Sequence, residues 1–67
     1  MSVLMKDQRL FDVEMRIAIL QRKLDEAERE RSLRHKRRQP TRMVETAIAI
    51  IAGDLARAIS YRDEITR

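Results

Sequence analysis

Pro40 and Gly53 are the only proline and the only glycine in this 67-residue chain. The residue before a proline is pushed out of helical backbone geometry, so a chain with no earlier breaker must interrupt any helix near Gln39 and nowhere before it. The composition around that break is rich in Ala, Leu, Ile, Glu, Arg and Lys, which lose little on entering a helix. One helix is expected from about Val3 to about Arg37, with Ser2 as its N-cap. A turn follows over about 38–41, and a second helix runs over about 42–65, opened by Pro40 at its first position or capped by Thr41. So short a connection folds the pair back on itself. The expected fold is all-α: residues 1–67 as one antiparallel helical hairpin.

Periodicity identifies the faces that meet. Leu10, Val13, Ile17, Leu20, Leu24 and Ala27 follow one another at spacings of three and four, as do Val44, Ile48, Ile51, Leu55, Ala58, Arg62 and Ile65. With the turn near Gln39, Ala27 comes opposite Ile51 and Val13 opposite Ile65, leaving residues 1–10 to overhang. A second apolar row, Leu4, Phe11, Met15 and Ile19, lies on a different side of the first helix, and Met43, Ala47 and Ile50 are displaced from the seam of the second. Two helices cannot cover both sets. A homodimer forming a four-helix bundle is the expected remedy, because contiguous apolar patches on small chains mark association sites. The small residues Ala49, Ala52, Gly53, Ala56 and Ser60 add the expectation of a close backbone approach.

Size and chemistry restrict the function. A single core of this length rarely supplies more than about 3–5 kcal/mol, and with no cysteine no disulfide adds to it. One histidine, no cysteine and no glycine-rich loop leave no basis for a metal site, a cofactor site or a nucleophile with its base. No enzyme is expected. Glu26 and Glu30 read as intrahelical partners of Arg22, Arg29 and Arg34. His35 reads as a solvated turn residue and Tyr61 as a half-buried packing residue. Charge at Lys6 and Asp7 comes too early for a secretory signal, the longest apolar run ends at Gly53, and the lack of cysteine suits a reducing cytoplasm, where the chain is placed.

Charge is concentrated at the turn. Residues 28–42 hold seven basic and two acidic side chains, whereas residues 1–27 hold five of each and residues 43–67 three and four. Arg34, Lys36, Arg37, Arg38 and Arg42 form a basic knuckle around His35. Cations at a helix C-terminus match the macrodipole, but the cluster also suits an acidic protein face or a phosphate backbone. The expected function is a non-enzymatic module that inhibits, chaperones or redirects a larger protein by occluding its surface, as a phage- or plasmid-type inhibitor, anti-activator or adaptor would. Its binding residues are Leu4, Phe11, Met15 and Ile19 as anchors and Arg34, Lys36, Arg37, Arg38 and Arg42 for steering. Nucleic-acid binding through the knuckle is the rival, weakened because Phe11 and Tyr61 are the only aromatics and neither lies there.

The stretch Glu45-Thr46-Ala47-Ile48-Ala49-Ile50-Ile51 resembles the second helix of the small hairpin co-chaperones of type III secretion needles. That resemblance implies a two-helix build and a role in holding a needle subunit soluble together with a larger partner. In gross build the chain is also similar to plasmid-encoded hairpin dimers that bind paired RNA loops.

Overall fold

The computed structural model describes the backbone from Ser2 to Arg67 and the side chains from Gln8 onward. It contains two helices, α1 (Ser2–Lys36) and α2 (Arg42–Thr66), packed against each other as a hairpin 55 Å long and 14 Å across. A 35-residue helix at about 1.5 Å per residue accounts for almost all of that length. α2 is ten residues shorter, so the backbone of α1 runs on past it.

The core follows the predicted seam over its Val13 end and adds Ile59, which the seam did not include. Val13 and Ile17 of α1 are 5% and 6% exposed and cluster with Ala58 and Ile65 of α2, and Leu10, Leu20, Leu55 and Ile59 pack around them. Burial thins toward the turn: Leu24, Ala27, Ile48 and Ile51 are half-buried, and Val44 is the only buried residue near that end. The α1 seam continues there as Arg31 and Arg34, both half-buried. Arginine stems therefore stand where aliphatic side chains would otherwise continue the seam, and their charged heads reach water.

The turn closes by backbone hydrogen bonds that no periodicity announces. Arg37 N–H donates to Leu33 O at 3.1 Å, Arg38 N–H to His35 O at 3.1 Å and Gln39 N–H to Arg34 O at 2.8 Å. The last two are the paired bonds of a Schellman C-cap, a motif that needs a left-handed residue just past the helix. Arg38 fills that position, with φ of 56°. A side chain with a Cβ is disfavoured there and glycine is not. Arg38→Gly is therefore expected to stabilise the hairpin by about 0.5–1 kcal/mol, and Arg38→Ala is expected to bring no gain. Urea denaturation of both variants checks this, since the Ala variant removes the same charge without relieving the backbone.

α2 opens with Thr41 as its N-cap and Glu45 N–H donating to Thr41 O at 2.8 Å; Pro40 lies outside the helix. The Thr41 side chain makes no capping hydrogen bond. Gly53 marks no close approach within the chain: a Cβ built on it meets only the end of the Arg57 side chain, at 3.9 Å.

Candidate interaction surfaces

The apolar row of α1 is open to solvent. Phe11 is 62% exposed and Met15 and Ile19 are each 50% exposed, although all three belong to the same helix as the buried Val13 and Ile17. At about 100° per residue the two sets lie almost opposite one another, so covering one seam with α2 leaves the other bare. The side chain of Leu4 lies outside the described residues. On α2, Met43 and Ile50 are 87% and 60% exposed on a flank of the helix, and Ala47 is half-buried.

Leu33 belongs with the α1 row and was not part of the sequence reading. It is exposed and stands 18 residues, or five full turns, beyond Met15, which puts it at the same angle around the helix. That spacing was available from the sequence. Between Ile19 and Leu33 the row is interrupted by Arg22, Glu26 and Arg29, so among the described residues the continuous apolar patch runs from Phe11 to Ile19.

At the turn the basic side chains divide into two kinds. Arg34 is engaged with the fold: its Nε and Nη2 reach Glu30 Oε1 at 3.1 and 3.0 Å, and its Nη1 donates to Pro40 O at 3.4 Å. This fixes the last turn of α1 to the connection. Lys36, Arg37, Arg38 and Arg42 are exposed and form no ion pair among the described residues. Arg34, His35 and Lys36 all lie in the last turn of α1, where the negative end of the helix dipole favours cations. Of the expected Glu26 and Glu30 pairings, the one with Arg34 forms. The other ion pair among the described residues joins Asp54 and Arg57 on α2.

The two patches are far apart. From Met15 to Arg37 along α1 is about 33 Å, so the fold does not bring the apolar anchors and the cations together into one site. Surface depressions between the helices are open and shallow. One, of about 300 Å³, is lined by Arg31, Ser32, His35, Thr41 and Glu45. Ser32 and His35 lie one turn apart there, with no hydrogen bond joining them. Another is bordered by Val13, Arg16, Asp54, Arg57, Ala58 and Tyr61, with Tyr61 resting at its edge, 44% exposed. Among the described residues no three His, Cys, Asp or Glu side chains converge, and no helix is long and apolar enough to cross a membrane.

Fold and surface together define an elongated two-helix hairpin with an apolar strip at one end and a cationic turn at the other. Comparison with protein-family models, with curated proteins and with solved structures gives no match. The likenesses to secretion co-chaperones and to RNA-binding hairpins rest on the residues and the build alone.

Proposed function

We propose that this chain is a non-enzymatic protein-binding module that occludes a surface of a larger protein. The observation that carries this reading is the exposed Phe11, Met15 and Ile19 strip on the face of α1 turned away from its own core. Large apolar side chains at helical spacing are what a hydrophobic groove accepts, and aromatic anchors at the centre of such contacts hold most of the binding energy. The unpaired cations of the turn act at longer range, raising the encounter rate with an acidic partner. Inhibitor, anti-activator, adaptor and chaperone are all outcomes of the same occlusion and differ in which surface is covered.

Pull-down with the immobilised chain tests this. The unmodified chain is expected to recover one protein in stoichiometric amount, and Phe11→Asp/Ile19→Asp to recover none. Arg37→Glu/Arg38→Glu is expected to recover the same protein more slowly at low salt. Recovery of RNA or DNA instead, with affinity that falls steeply as salt rises and disappears in the Arg37→Glu/Arg38→Glu variant, would replace the proposal with nucleic-acid binding through the turn. A requirement for a second small protein before any complex forms would point to a secretion co-chaperone.

A further inference from the structure

Positive charge and exposed apolar side chains meet at the turn end of the hairpin. Lys36, Arg37, Arg38 and Arg42 are exposed and form no ion pair among the described residues. Of the acids closest to them in the sequence, Glu30 is held by Arg34 and Glu45 stands in the first turn of α2. Two large apolar side chains bracket these cations. Leu33 is 52% exposed, and Met43, at 87%, is the most exposed large apolar side chain among the described residues. Leu33 lies three residues before the end of α1 and Met43 is the second residue of α2, so both stand within about 5 Å of the helix ends along the axis. We infer that this tip binds an anionic lipid surface, the four cations meeting its headgroups while Met43 and Leu33 enter the edge of the acyl layer. The inference goes beyond the proposed function, which asks of the turn only long-range attraction to an acidic protein and places the docking contact at the other end of α1.

Charge complementarity alone would suit any polyanion, and the apolar pair selects among them. A nucleic-acid backbone would satisfy the cations but gives Leu33 and Met43 nothing to enter, and the turn has no aromatic side chain on which a base could stack. An acidic protein would need a pocket shaped for each of the two. Acyl chains accept apolar side chains without such shaping, and a basic cluster joined to an apolar anchor is the pairing of signals that holds a protein at a lipid interface. Each Lys or Arg close to an anionic leaflet strengthens binding about fivefold, so four together supply several hundredfold. The shape also fits. A rod 55 Å long and 14 Å across can press its narrow end on a flat surface while the rest stands clear. Attachment of this kind needs no spanning helix, and none is present among the described residues. A hairpin resting on its tip holds Met15 about 33 Å along α1 from Arg37, so the Phe11 strip remains open to a partner.

The chain contains no tryptophan, so Met43→Trp reports on its own surroundings. Flotation with vesicles of equal parts phosphatidylserine and phosphatidylcholine is expected to carry the full chain into the lipid fraction, and vesicles of phosphatidylcholine alone to leave it behind. Binding should weaken as salt rises. Arg37→Gln/Arg42→Gln should weaken it about 25-fold, with helical circular dichroism retained. Met43→Ser should also reduce binding and Met43→Leu keep it, and the emission of Met43→Trp should move to shorter wavelength on the anionic vesicles only. Absence of binding to the anionic vesicles overturns the inference, as does equal binding to both kinds or undiminished binding by Arg37→Gln/Arg42→Gln. A Trp emission that stays at its aqueous wavelength on the bound chain also overturns it. Capture of duplex RNA or DNA by a chain that ignores the vesicles would assign the turn to nucleic acid instead. Phe11→Asp/Ile19→Asp separates this test from the pull-down, since it is expected to lose the protein partner and keep the vesicles. Loss of the vesicles in that variant would mean that the strip, not the tip, lies on the lipid, and the inference would fall.

Discussion

Ile17→Ala is expected to remove most of the stability of the hairpin. Ile17 is 6% exposed and belongs to the buried cluster with Val13, Ala58 and Ile65. Truncating a buried isoleucine to alanine costs about 2–5 kcal/mol, through lost transfer energy and the void left behind. A core of this length supplies about 3–5 kcal/mol in all, so a single truncation is comparable with the whole. Urea denaturation followed by circular dichroism should show the midpoint falling by more than half or the transition vanishing. Ile19→Ala, two residues along, is a demanding control. Its side chain is half-exposed and outside the seam, so its effect on a lone hairpin should be small.

Two alanines of α2 should respond very differently to enlargement. Ala58 is 7% exposed and belongs to the core cluster, whereas Ala56, two residues earlier on the same helix, is exposed. Ala58→Leu must force additional atoms between α1 and α2, and overpacking of that kind costs about 1–3 kcal/mol. Ala56→Leu projects into solvent, keeps a good helix former, and should change stability by no more than about 0.5 kcal/mol. Thermal denaturation of the two variants side by side checks this. Equal destabilisation would mean that Ala56 is also covered and that the small-residue strip of α2 faces another molecule.

Both predictions depend on how far each position is buried, and legibility in the sequence differed from place to place. The seam was readable because spacings of three and four put Val13, Ile17, Ala58 and Ile65 on facing stripes whatever the details of packing. The bare row at Phe11, Met15 and Ile19 was readable for the same reason, since one helix has two sides and only one second helix was available. Leu33 shares that row by simple periodicity, yet its isolation among charged residues hid it. Arg34 could not be sorted from its basic neighbours, because its role depends on the carbonyl of Pro40 being brought back over the end of α1.

What the sequence determined unaided is what local forces set: two helices, one break before Pro40, and the angle at which each apolar residue leaves its helix. Tertiary structure decided what depends on where the chain closes. It placed Arg38 in the left-handed position of the cap and made Thr41 the first residue of the second helix's entry. It left Gly53 without a close neighbour and drew the core to the Val13 end while arginine stems covered the turn. The physical reason is that helix propensity and periodicity act within a few residues, whereas burial depth and cap geometry follow from contacts between residues that only the closed hairpin brings together.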